Sequence, residues 1–201
     1  MTSSDSDFIY TPCYCEENIW HFCKVFAEGQ KIANGDLFVI FISNQNKQVP
    51  IWNQKINSEK RMAIWDYHVI ALERPNQSDV TAPFPSDNAL PSFIFDFDTS
   101  LSFKSLATDY YQQCLLPAAN FRPQFSPIFR IIRAEDYLLH FASDRSHMIK
   151  ADGSYSSSPP TYPAIRTSQS TMNLHDFISM ENNWIPSEIK TLHEFGVWLD
   201  G

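Results

Sequence analysis

Residues 61–73 read RMAIWDYHVIALE. The run is rich in β-branched and aromatic residues and predicts one long strand. Alternate residues of a strand face the same side. Trp65, Tyr67, Val69 and Ala71 therefore share an apolar face, while Asp66, His68 and Ile70 share the other. This places His68 and Asp66 on the more polar surface. Residues 92–100, SFIFDFDTS, repeat the device. Phe93, Phe95 and Phe97 form an apolar face, and Ile94, Asp96 and Asp98 the opposite one. If the two strands pair antiparallel, His68 meets Asp96 or Asp98 with Cβ atoms about 5 Å apart. Parity does not choose between the aspartates, because both face the same way.

More strands surround this pair. DLFVIFISN (36–44) reads as a buried strand. QVPIWNQK (48–55) is a shorter one, with Pro50 arguing for an edge. FRIIRA (129–134) reads as a last strand. Helical patterns flank the block. In TPCYCEENIWHFCKVFAEG (11–29), Thr11 is a candidate cap and Pro12 suits a first turn. Ile19, Phe22, Cys23 and Phe26 form its apolar stripe, and Gly29 marks the stop. Phe103, Leu106, Ala107, Tyr110 and Cys114 are at helical spacing. EDYLLHFAS predicts a short helix, NLHDFISM another opened by Asn173, and TLHEFGVWL begins with the T-x-x-E pattern of a capping box. Residues 75–91 and 150–165 have the composition of loops, and the polar residues 1–9 that of a mobile terminus. The order predicts an α+β fold, an α/β sandwich with a mostly antiparallel sheet flanked by helices, in a single domain over residues 1–201.

Composition bounds the function. The chain has 201 residues and a net charge of −8. No Lys/Arg cluster stands out, which argues against a nucleic-acid surface. The N-terminus has neither the basic nor the apolar region of a signal peptide. The longest apolar run, LFVIFI (37–42), is far too short to span a bilayer. A cytosolic or nuclear location is expected, with no membrane partner. Cys13, Cys15, Cys23 and Cys114 are then expected as thiols. CYC lacks the paired CxxC spacing of zinc sites, so no metal is expected. With no heptad or exposed apolar stripe, a monomer is the expected state.

Three groups carry the chemistry. Cys15 falls near the start of its helix, where free N–H groups and the dipole favour a thiolate. Glu16 and Glu17 oppose that effect, so a nearby imidazolium is wanted. A helix-start thiol, a strand histidine and a neighbouring carboxylate make a Cys–His–Asp arrangement for attack on an acyl carbon. Each member also has an innocent reading, as a packing thiol or a satisfied core histidine.

These residues resemble the family of protein N-terminal glutamine amidohydrolases, named after its WDYHV motif. The similarity is carried by CYCEENIW (13–20), FISN (41–44), PIWNQ (50–54), WDYHV (65–69), FDFDT (95–99), PQFSPIFRIIRA (123–134), HFASDRSHM (140–148), PPTYPAI (159–165) and MNLHDFISM (172–180). The resemblance implies a papain- or transglutaminase-like fold. It implies deamidation of an N-terminal Gln to Glu with release of ammonia, feeding an arginylation-dependent degradation route. It assigns the nucleophile to Cys15, the base to His68 and the orienting carboxylate to Asp96, with no metal or cofactor. Substrates are proteins and peptides that begin with Gln. A reader of the free α-amino group is also needed, and Glu16, Asp66 and Asp98 are weak candidates. The glutamates are expected to be solvated on the helix surface, and Trp52 and Trp65 to be core. Asp144, Arg145, Ser146 and His147 form a polar cluster that either shapes the pocket or is a hydrogen-bonded structural loop. The rival readings are another thiol acyl-transferase, such as a cysteine protease or transglutaminase, and a non-catalytic module that binds N-termini.

Overall fold

A computed structural model describes residues 8–29, 35–57, 62–75 and 90–200. Most of the loop expected at 75–91 and of the N-terminal segment lies outside these residues. The fold is α+β, with a six-stranded antiparallel sheet between two layers of helices.

The apolar run at 36–44 becomes the central strand β1 (Gly35–Ser43). It pairs with β4 (His68–Pro75) on one side and β7 (Ile128–Arg133) on the other. β5 (Phe93–Phe95) and β6 (Lys104–Leu106) extend the sheet beyond β4, and β8 (Glu188–Thr191) closes the far edge. β1 lacks polar alternation because both of its faces are covered. Leu37, Val39 and Phe41 enter one core with α1 (Cys15–Glu28), α3 (Ala134–His140) and α4 (Leu174–Ile178). Ile40 and Ile42 enter a second core with α2 (Ala107–Tyr110) and α5 (Leu192–Asp200). Aromatic contacts tie helices to strands in each layer. Phe22 meets Phe95 at 4.7 Å, and Phe129 stacks on Phe195 at 4.2 Å.

Several expectations are corrected. The long strand breaks in two: β3 (Met62–Trp65) pairs with β2 (Val49–Trp52) in a separate two-stranded sheet. Asp66 makes the break by accepting the Tyr67 N–H on its own carboxylate at 2.9 Å, while its carbonyl accepts the Ser43 hydroxyl at 2.7 Å. Arg61 lies outside the described residues. His68 therefore starts a strand, and its face is not polar. It shares parity with Ile70 and Leu72 of the second core and is 0 % exposed.

The second strand stops at Phe95, before both aspartates. The helix expected from Phe103 begins at Ala107, because Lys104–Leu106 pairs with β5; it continues as a π-helical turn, Tyr111–Leu115. Thr11 does not cap α1. Its N–H and carbonyl pair with the Asn18 side chain at 2.8 and 2.9 Å, and the helix begins at Cys15. β7 is not the last strand, since β8 follows it. The capping box at α5 forms as expected, with the Thr191 N–H on the Glu194 carboxylate at 2.8 Å. Among the described residues, no helix is long and apolar enough to cross a membrane.

Candidate active site

Cys15 is the first residue of α1, preceded by Cys13 at φ 68. A non-glycine residue in that left-handed region costs on the order of 1–3 kcal/mol. Here it turns the chain so that the helix opens at the wall of a cleft. The first N–H groups of a helix have no partner within it, so this end of α1 offers donors.

His68 and Asp96 are brought together. The His68 Nε2 lies 3.0 Å from Asp96 Oδ1, both side chains being buried. The β4–β5 register places Ala71 opposite Phe95. Extended past the end of β5, it would set His68 opposite Asp98, so the contact to Asp96 is diagonal. Asp96 is braced on every side: Oδ1 also accepts the Asp98 N–H at 2.9 Å, and Oδ2 accepts Tyr110 Oη–H at 2.7 Å and Gln54 Nε2–H at 3.3 Å. Asp98 instead accepts the Tyr10 hydroxyl at 2.7 Å. Trp65 stacks on the His68 ring at 5.3 Å. It is half-buried rather than core, as is Trp52.

The pair is electrostatically matched. Burial alone would lower the His68 pKa, but the charge and hydrogen bond of Asp96, helped by Asp98 and Glu16, hold it above the ordinary value. Burial would raise Asp96, but His68, the Asp98 amide and Tyr110 outweigh it and hold the carboxyl low. Asp98 is raised, by burial first and by the charge of Asp96.

Cys15 is not hydrogen-bonded to this pair. Its thiol is directed at Glu16 Oε2, at 3.7 Å, and His68 Nδ1 is buried without a hydrogen-bond partner among the described residues. Burial pushes the thiol pKa up, and the Glu16, Asp98 and Asp66 charges push the same way against the Val69 amide. The helix start does not win here.

Both glutamates overturn the expectation of solvated side chains. Glu16 and Glu17 are each 0 % exposed. Glu17 forms a two-pronged ion pair with Arg145, at 2.9 and 2.8 Å. Glu16 Oε2 accepts the Tyr67 hydroxyl at 3.0 Å, and Oε1 lies 3.7 Å from His147. Burial raises the Glu16 carboxyl to about 7. The 140–148 segment is thus both structural, through Arg145, and part of the cleft, through His147. Sequence reasoning missed this, since nothing local marks two helix-start acids as covered from the far end of the chain.

The cleft is about 520 Å³ and is lined by Cys13, Cys15, Trp65, Asp66, Tyr67 and His147, among others. Lys47 and His175 also line it and carried no sequence signal. Only His68, Asp96 and Asp98 offer a cluster of possible metal-ligand atoms among the described residues, within 4.8 Å of one another. Two of these atoms already bond each other, so the donor set is that of a hydrogen-bonded couple. All four cysteines are free thiols.

The Glu16 charge is the largest neighbouring influence on the thiol after burial. Glu16→Gln is therefore expected to shift the inflection in Cys15 alkylation against pH to lower pH. An inflection that does not move would show the carboxylate to be without influence.

A helix-start thiol and a buried imidazole–carboxylate couple beside one cleft are the equipment of an amide-bond hydrolase. The family model for N-terminal glutamine amidase matches residues 10–200, and the chain belongs to that family. It is similar to the protein N-terminal glutamine amidohydrolase of Homo sapiens, 39% identical over 187 residues, covering 93% of this chain and 85% of that one. The Danio rerio protein of the same name is 37% identical over 195 residues, covering 97% and 91%. That of Drosophila melanogaster is 34% identical over 191 residues, covering 94% and 87%.

Proposed function

We propose that the protein hydrolyses the side-chain amide of an N-terminal Gln to give N-terminal Glu and ammonia, through Cys15, His68 and Asp96. The observation that carries this is the buried His68–Asp96 pair, whose second ring nitrogen has no hydrogen-bond partner among the described residues and whose ring is stacked on Trp65 of the cleft that holds Cys15. Family membership supports the same substrate.

In the proposed cycle, His68 Nδ1 takes the thiol proton while Nε2 stays on Asp96. The Cys15 sulfur attacks the Gln δ-carbon, and N–H groups of the first turn of α1 receive the oxyanion. His68 returns the proton to the departing ammonia, leaving a thioester. It then activates water to release Glu. No resident cofactor enters the scheme. The free α-ammonium is read by Glu16, whose Oε1 is buried without a hydrogen-bond partner among the described residues, with Asp66 at the cleft wall. Asp98 is less suited, since it already holds Tyr10. A bound ammonium beside these carboxylates offsets the charges that keep the thiol protonated, so thiolate formation favours an occupied site. We also propose a papain- or transglutaminase-like relationship for the fold, one catalytic domain working as a monomer, a cytosolic or nuclear setting, and a product that enters arginylation-dependent degradation.

The test is deamidation, followed by mass shift, of three peptides with Gln first, Gln second or Asn first. Only the first is expected to react. Backbone cleavage or cross-linking would instead place the protein among the cysteine proteases or transglutaminases.

A further inference from the structure

Of the two acids at the start of α1, Glu17 has its cation in Arg145, while Glu16 meets only His147 as an ion-pair partner among the described residues. Burial outweighs the Asp66 and Glu17 charges and holds His147 below its ordinary 6.5, so that ring is neutral at neutral pH. The Glu16 carboxylate is half engaged. Oε2 accepts the Tyr67 hydroxyl at 3.0 Å and faces the Cys15 sulfur at 3.7 Å. Oε1 is buried without a hydrogen-bond partner among the described residues. His147 Nε2, 3.7 Å from Oε1, is too far to bond it and lies 3.4 Å from the Tyr67 hydroxyl. Cys15, Tyr67 and His147 all line the cleft. A buried carboxylate without a cation is costly. The α-ammonium of a substrate supplies the cation, beside the sulfur that attacks the same residue.

That placement opens a second end to the reaction. Once Cys15 has bonded to the Gln δ-carbon and ammonia has left, the α-amine of the same residue is placed to close a five-membered ring. If neutral, its nitrogen attacks the thioester carbon. An N–C bond forms, the C–S bond breaks, the amine gives up a proton, the sulfur regains one, and the product begins with 5-oxoproline instead of Glu. Well-placed intramolecular nucleophiles reach effective concentrations of about 10⁵–10⁸ M, which water cannot match. A free α-amine has a pKa of about 7.7–8.0, so roughly one in ten is neutral at neutral pH. An opposite charge within about 4–6 Å shifts such a group by about 1–3 pH units, so one carboxylate cuts the neutral fraction by about ten- to thousand-fold.

We propose that Glu16 selects hydrolysis over ring closure: it holds the substrate amine as an ammonium, which has no lone pair, and so suppresses a glutaminyl cyclase activity of the Cys15 thioester. The inference rests on the reading of the cleft as an N-terminal glutamine site. The groups around Glu16 leave it as the charge that acts on the amine. Glu17 of α1 is paired with Arg145. Tyr67 before β4 and Tyr137 of α3 are both held protonated by burial. Cys15 is consumed in the thioester, and Asp66 at the cleft wall acts in the same direction as Glu16.

The probe is Gln-Gly-Ala-Gly, with enzyme-free and Cys15→Ala blanks for spontaneous cyclisation. Both outcomes release ammonia, so the products are separated by mass, the ring-closed peptide being one water lighter than the hydrolysed one. The parent should give the Glu peptide. In Glu16→Gln the ring-closed share should rise by about ten-fold or more, and it should vanish when Cys15→Ala is added. Glu16→Asp keeps the charge and should stay hydrolytic. Far-UV circular dichroism checks that the variants fold. Should Glu16→Gln not fold or not turn over, the parent itself gives the test, since its ring-closed share must climb as alkaline pH strips the ammonium. A Glu16→Gln protein that yields only the Glu peptide, equal ring-closed shares in Glu16→Asp and Glu16→Gln, or a parent share that stays flat into the alkaline range overturns the inference while leaving Gln deamidation standing. Failure of the parent to release ammonia from the probe overturns the underlying reading and this inference with it.

Discussion

Cys15→Ala is expected to lose deamidation of Gln-initiated peptides by about 10⁴-fold or more, because nucleophile, base and carboxylate act as a unit. The fold should survive. Cys15 sits at the rim of the first core, 7 % exposed, and alanine removes one sulfur whose hydrogen bond to Glu16 is weak. Circular dichroism and the thermal midpoint should stay near those of the parent, and peptide binding should persist. Activity within tenfold of the parent would show that the sulfur does no chemistry. The same variant separates an enzyme from a module that only binds N-termini, since a pure binder would keep all its function.

The second large effect is expected at Asp96. Asp96→Asn keeps the shape but removes the charge that holds His68 in place. By analogy with other triads, about 10⁴-fold is lost in kcat. Asp98→Asn should cost far less, because Asp98 braces Asp96 through its backbone N–H and gives its own carboxylate to Tyr10. Equal losses in the two variants would sink the assignment. The pH dependence of stability has a definite sign. His68 is raised above 6.5, so its contribution is complete below that value and fades as pH rises through the folded pKa. Asp96 is held below 3.8, so its contribution is complete above that value and fades as pH falls through the folded pKa. The thermal midpoint of Asp96→Asn should therefore fall furthest behind the parent between about pH 3.8 and 6.5.

How much of this was legible depended on range. The central strand, the stripe of α1 and the capping box of α5 are local patterns, and each formed as read. The meeting of His68 with one of two aspartates followed from strand parity, but the premise needed repair. Parity assumed an unbroken strand and a polar face, whereas Asp66 breaks the strand and the His68 face is core. Asp96 and Asp98 differ only in what surrounds them, Tyr110 and Gln54 for one and Tyr10 for the other. Those partners lie up to 88 positions away, beyond any periodicity. Glu16 and Glu17 were misread for the same reason. Residue type and helix position describe a solvated first turn, and only tertiary contacts cover it.

That cover has a consequence for the order in which the protein matures. The Glu16 carboxylate waits 51 positions for the Tyr67 hydroxyl, and Glu17 waits 128 positions for Arg145. During synthesis, which proceeds from the N-terminus, the two acids leave the ribosome long before either companion exists. Burying them unaccompanied would be costly, so the nascent α1 cannot settle against the sheet in its final pose. The thiol is made well before His147 and Arg145 complete its surroundings, so a half-made chain carries no finished reactive centre.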